Sequence, residues 1–237
     1  MFIGHYGFAY AAKTVAPNAP LAAYCLAVQA LDVLFSVFVL SGIEHMEIVH
    51  NYTRYNSYRL YDMPITHSLV GSLGWAVAVG IVAALVRLPR RESLWLGLAV
   101  FSHFILDVPV HTPDLSIAGN HTARLGLGLW NNVALVLALE LLMLLGGWAL
   151  FTRSKRSDAT FPKQRNRIFV GILVLLTIVT PFMPDPPSTA AFAVQALVMY
   201  FVLAAASAWS VGEPLFQRSS RIAVPNKNKA TGITRTK

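Results

Sequence analysis

Leu125-Gly-Leu-Gly-Leu-Trp130-Asn-Asn-Val-Ala-Leu-Val-Leu-Ala-Leu-Glu140-Leu-Leu-Met-Leu-Leu-Gly-Gly-Trp-Ala-Leu-Phe151 contains one ionisable side chain, Glu140. A helix needs about 20 apolar residues to cross the hydrocarbon core of a bilayer, and this stretch is long enough. Apolar runs recur at 21–42, 68–87, 93–110, 167–183 and 190–211. The chain is 55% hydrophobic and 13% charged, with a mean hydropathy of +0.55. These features predict an all-α polytopic membrane helical bundle of about six transmembrane helices, preceded by a short N-terminal half-helix.

Charge sets the expected orientation. The formal net charge is +8, and of the 19 lysines and arginines only Arg54, Arg59 and Arg124 fall on the side opposite the termini. The positive-inside rule then places both termini in the cytoplasm. The basic excess reports orientation, so the bilayer is the expected partner and no nucleic acid is. Residues 1–212 read as a single membrane-embedded helical domain with its site region in 1–130. Residues 213–237 read as a basic, disordered cytoplasmic tail. Met1 to Ala12 lack a basic n-region, so no cleavable signal peptide is expected. The single cysteine, Cys25, excludes an intrachain disulfide and a Cys-based zinc site.

Ionisable groups at membrane depth are costly to bury and mark candidate sites. The third apolar run ends in Phe101-Ser-His103-Phe-Ile-Leu-Asp107-Val-Pro-Val-His111. Positions four apart drift only about 40° around a helix, so the three side chains form one stripe. At about 1.5 Å of rise per residue, His103 lies roughly 18 Å beyond Arg91, and Asp32 reaches a similar level beyond Pro20. His67 opens the second run, with Thr66 or Ser68 available as its cap. His5 reaches the same depth if residues 2–14 form a half-helix entering from the inner face, with Lys13 at that face. Depth and Pro109 divide the stripe, leaving His103 and Asp107 buried and His111 at the mouth.

Imidazoles and carboxylates without thiolates suit a divalent metal, zinc first, with manganese or iron as alternatives, as one or two ions. His5, Asp32, His67, His103 and Asp107 are the candidate ligands, and a cation there offsets the burial of the two carboxylates. His111 or Glu44 is placed to act as general base or acid near pH 7. A plain His–Asp pair holding helices together also accounts for positions 103 and 107. Glu140 is expected to hydrogen-bond across helices and Trp130 to anchor at the interface. The last two apolar runs read as scaffold.

Gly4-His5, Asp32, Thr66-His67-Ser68 and Ser102-His103-x-x-x-Asp107 together resemble the inner-membrane metal-dependent hydrolases of the YdjM-like, LexA-binding group. The resemblance covers about residues 1–130. That group is similar in turn to zinc-dependent phospholipase C and related single-strand nucleases. The resemblance implies phosphoester hydrolysis in a bacterial inner membrane, with the five residues above as ligands. Where the family has a paired D-x-D, this chain has Gln29-x-x-Asp32, one carboxylate fewer, and an inward Gln29 would orient a water. His111-Thr-Pro-Asp114 and the run from Arg124 to Trp130 are similar to a subgroup, which brings Asp114 into the catalytic set. Arg124 offers a planar fork for a phosphate oxygen. The expected function is a membrane-embedded metal-dependent hydrolase acting on a phosphoester, such as a phospholipid or another membrane-associated substrate. A transporter relaying protons or metal ions through the same cluster, and a non-catalytic membrane adaptor, are the alternatives.

Overall fold

Pro20 precedes the first long apolar run and Gln29 interrupts it, so that it forms two short helices. The computed structural model describes residues 1–155 and 158–214. It begins with α1 (His5–Val15), α2 (Leu21–Val28) and α3 (Ala30–Leu40), the last two meeting at a 55° bend. Gln29 sits at that bend with non-helical backbone angles (φ −107°, ψ 6°). An antiparallel hairpin of β1 (His45–Ile48) and β2 (Tyr58–Asp62) then occupies the expected outer loop. The chain continues through α4 (Leu69–Leu85), α5 (Arg90–Asp107), a two-residue ladder of β3 (Leu115–Ser116) and β4 (Arg124–Leu125), α6 (Val133–Ser154), α7 (Lys163–Val179) and α8 (Thr189–Val211).

The helix starts follow ordinary capping chemistry. The Ser68, Asn132 and Ser188 side chains accept from the backbone N–H three residues on, at Gly71, Leu135 and Ala191. Ser68, rather than Thr66, therefore caps the helix that follows His67.

Three helices are long and apolar enough to cross a membrane, Val133–Ser154, Lys163–Phe182 (α7 extended by a 3₁₀ turn) and Thr189–Val211. The expectation of about six such helices is corrected here. The 21–42 run is the bent α2–α3 pair, which makes a fourth crossing only if both halves count as one span. The 68–87 run yields a 17-residue helix. The 93–110 run is part of α5, which opens on Arg90, Arg91 and Glu92 and closes on Asp107. Apolar side chains on α4 at Val70, Leu73, Val77 and Ile81 stand exposed on one face, as an apolar surround permits.

The half-helix α1 owes its depth to two glycines. A Cβ on Gly7 would lie 2.0 Å from the Met143 carbonyl oxygen, and one on Gly147 would lie 1.9 Å from that of Gly7. Only glycine at both positions lets the α1 and α6 backbones approach this closely. Tyr6, Ala9 and Tyr10 are fully buried along α1. At its far end Lys13 donates to the Pro17 and Ala19 carbonyls and pairs with Glu213. Glu213 also accepts from the Leu21 amide at 2.8 Å. Glu213, expected at the start of the tail, is thus tied to the bundle. The rest of the expected tail, from residue 215 on, lies outside the described residues.

Candidate metal centre

The five candidate ligands come from four pieces of chain: His5 from α1, Asp32 from α3, His67 from the residue before the α4 cap, and His103 with Asp107 from α5. The structure brings all five together. His5, His103 and Asp107 form one group of ligand atoms mutually within 4.8 Å, and Asp32, His67 and His103 form a second. Buried His and Asp groups here can hold a metal ion.

The imidazole tautomers follow from what surrounds them. Nδ1 of His103 lies 2.7 Å from the Val28 carbonyl oxygen, which can only accept, so Nδ1 carries the proton. In the neutral imidazole Nε2 of His103 is then the lone-pair nitrogen, 3.0 Å from Asp107 Oδ2 and 3.5 Å from Asp32 Oδ1. It is buried and has no hydrogen-bond partner among the described residues. Orphaned buried nitrogens are rare in folded proteins, and a cation between these three atoms would satisfy this one.

His67 is set by a relay. The Thr66 hydroxyl donates to Glu44 Oε2 at 2.7 Å and so accepts from His67 Nδ1 at 2.8 Å. In the neutral ring Nε2 of His67 is the lone-pair nitrogen, 3.3 Å from Asp32 Oδ1. The other oxygen of Asp32 accepts from the Tyr200 hydroxyl at 3.0 Å.

Asp107 divides its oxygens. Oδ1 accepts from the Met1 amino group and lies 3.2 Å from His5 Nε2. Oδ2 faces His103 and lies 3.5 Å from His111 Nε2. The His5 ring stacks on that of His103 with centroids 4.1 Å apart. Its Nε2 donates toward the Met1 carbonyl at 3.1 Å, leaving Nδ1 unpartnered. His103 has one free nitrogen and can serve one ion; a second ion would share Asp107.

His111 lies beyond the end of α5. Nδ1 pairs with Asp114 Oδ1 at 2.9 Å, the Thr112 hydroxyl holds the other oxygen of Asp114, and the Trp130 ring packs 4.1 Å away. Burial alone would lower the His111 pKa, but the Asp114 and Asp107 carboxylates outweigh it and raise the group above its ordinary value. Trp130 is 6% exposed, so it is a wall of the site and not the interface anchor its sequence position suggested. A cavity of about 450 Å³ connects Asp32, His67, Asp107 and His111 with the β1–β2 turn, the C-terminal end of α7 and the N-terminal part of α8.

Three expected site residues stand elsewhere. Glu44 is fully buried, and the Ile65 amide, Thr66 amide and Thr66 hydroxyl occupy its carboxylate. It positions His67 and does not face the cavity. Gln29 is buried behind the N-terminal segment and donates to the Phe2 carbonyl. Arg124 is exposed on β4, its guanidinium on the Tyr61 carbonyl. The cation that does line the cavity is Arg54. Glu140 bonds across helices as expected, its two oxygens accepting from the Phe2 and Gly4 amides. Tyr200 and the α7–α8 wall show that the last two apolar runs are more than scaffold. A tyrosine in mid-span was the available signal, since a buried hydroxyl needs a partner. Comparison of the chain with protein-family models, curated proteins and solved structures gave no match.

Proposed function

We propose that the protein is a membrane-embedded metal-dependent hydrolase of a phosphoester, held in a bacterial inner membrane with both termini cytoplasmic. The bare, buried Nε2 of His103 between Asp32 and Asp107 carries the reading. His67 Nε2, His103 Nε2, Asp32 Oδ1 and Asp107 Oδ2 make a thiol-free donor set suited to zinc, with manganese or iron next. A divalent cation held there supplies Lewis acidity toward a phosphoryl oxygen.

The chain's own residues divide the remaining work. Val28 and the Glu44–Thr66 relay fix the ring orientations of His103 and His67, so the lone pairs point inward without reorganisation. Tyr200 holds Asp32 in place. His111, backed by Asp114 and facing the cavity through Nε2, holds a proton where a leaving oxygen would take it. Trp130 beside it excludes water from that side.

Elemental analysis of the full chain purified in detergent tests the reading. The wild type should carry stoichiometric metal and turn over a phosphodiester, and His103→Ala should lose both. Stoichiometric metal retained in His103→Ala would refute the ligand assignment. Metal-free wild type would leave the adaptor reading, and metal flux in liposomes without turnover would leave the transporter.

A further inference from the structure

The polar centre occupies only part of the cavity. Its wall continues along Phe192, Ala196 and Met199, spaced four and three residues apart and therefore on one face of α8, and along Leu176 near the outer end of α7. Phe182 and Met183 line the same cavity while standing 76% and 61% exposed on the outside. Phe182 closes a 20-residue apolar span, so the mouth opens at the edge of the hydrocarbon layer. A small polar phosphoester has no use for such a wall.

The same mouth carries one arginine. Arg54 lies in the β1–β2 turn, which is held from within by its own hydrogen bonds. The Thr53 hydroxyl accepts from the Asn56 amide at 2.9 Å and donates to the Asn56 carbonyl at 2.8 Å, and Thr53 and Tyr55 on either side are buried. The neighbouring strand arginine, Arg59, is paired with Glu47 at 2.9 Å. Arg54 makes no ion pair among the described residues. Of the carboxylates lining the cavity, Asp185 is taken by His50 at 2.7 Å, while Asp32 and Asp107 belong to the candidate centre. An anionic group at the mouth therefore finds a presented guanidinium there, with an apolar trough alongside.

We propose that Arg54 recognises the anionic headgroup of an amphipathic phosphoester whose hydrocarbon chain lies along Leu176, Phe192 and Met199, the substrate entering sideways from the bilayer. The inference rests on the phosphoester reading for its headgroup chemistry, and binding alone tests it. Three probes separate the contributions: dihexanoyl phosphatidic acid has chain and anion, dihexanoylglycerol has the chain alone, and glycerol 3-phosphate has the anion alone. Each is titrated against the full detergent-purified chain, with and without chelator.

Phosphatidic acid should bind about tenfold or more tighter than either of the others. Arg54→Gln should close the gap between phosphatidic acid and dihexanoylglycerol, with or without chelator. Met199→Trp, which fills the trough, should close the gap between phosphatidic acid and glycerol 3-phosphate; Met199→Gln serves the same purpose if the larger residue prevents folding. Equal affinity for glycerol 3-phosphate and phosphatidic acid would overturn the chain site. A headgroup gap unchanged in Arg54→Gln would overturn the role of Arg54. Metal-free wild type showing these differences would sink the hydrolase reading and leave the lipid site standing.

Discussion

The Thr66 hydroxyl stands between Glu44 and His67, donating to the first at 2.7 Å and accepting from the second at 2.8 Å. A residue on the far side of Thr66 from the cavity therefore decides which nitrogen of His67 faces Asp32. Thr66→Val keeps the shape and removes the relay. Metal affinity should fall about 10- to 100-fold, the usual cost of losing a partner that orients a ligand, while the helical circular dichroism stays unchanged. Competition against a coloured chelator measures it, and unchanged affinity would show that His67 needs no such orientation.

The close crossing of α1 and α6 predicts a sharp contrast between adjacent glycines. Gly147→Ala drives a methyl into the Gly7 backbone, whereas a Cβ on Gly146 meets nothing within 4 Å. The first substitution should cost roughly 1–3 kcal/mol or more through forced backbone movement. Gly146→Ala should be neutral or slightly stabilising, as alanine is the better helix former. Thermal unfolding of the two variants in the same detergent compares them directly.

Glu140 holds the N-terminal segment by the amides of Phe2 and Gly4. Glu140→Ala leaves two N–H groups without acceptors in a buried place, each worth about 1–3 kcal/mol. Hydrogen exchange at residues 2–9 should accelerate while exchange in α8 stays slow. If the segment remains protected, its burial is held by the Gly7–Gly147 contact and the Met1–Asp107 and Gln29–Phe2 bonds without help from Glu140.

The β1–β2 hairpin carries a pH-dependent clip. Asp62 bonds to His45 and to Asn120, both at 2.6 Å, joining β1 and β2 to the 117–123 turn. Desolvation is the largest single effect and would raise this carboxyl, but the His45 and Asn120 hydrogen bonds, with the charges of His45 and Arg124, together outweigh it and bring it below the usual 3.8. The folded value is depressed, so the stabilisation is present above the unfolded value and lost as pH falls through the folded one. Proteolysis between residues 45 and 62 should therefore increase below about pH 4 in the wild type. Asp62→Asn should be more susceptible already at neutral pH and respond less to acid.

The apolar runs and the spacing of His103 and Asp107 were legible because both depend on local periodicity and hydropathy. Capping was legible for the same reason, as Ser68 shows. The number of crossings was not. Gln29 interrupts α2–α3, and its side chain donates to the Phe2 carbonyl, a contact 27 residues away. Glu44 reads in sequence as a candidate general base or acid, and only the fold of residues 65 and 66 over it reveals that its oxygens are consumed. Arg124 and Arg54 are equally basic in sequence. Arg124 on β4 meets the Tyr61 carbonyl, whereas the β1–β2 turn places Arg54 at the cavity mouth.

Residue order alone determined the all-α character, the apolar runs and the His103–Asp107 pair on one face of α5, because hydropathy and helical period act over a few turns of chain. Tertiary structure decided which nitrogens of His67 and His103 are bare, which arginine meets the cavity and that Tyr200 holds Asp32. Those outcomes depend on hydrogen-bond partners and close backbone crossings between segments remote in sequence, whose geometry exists only once the helices have packed.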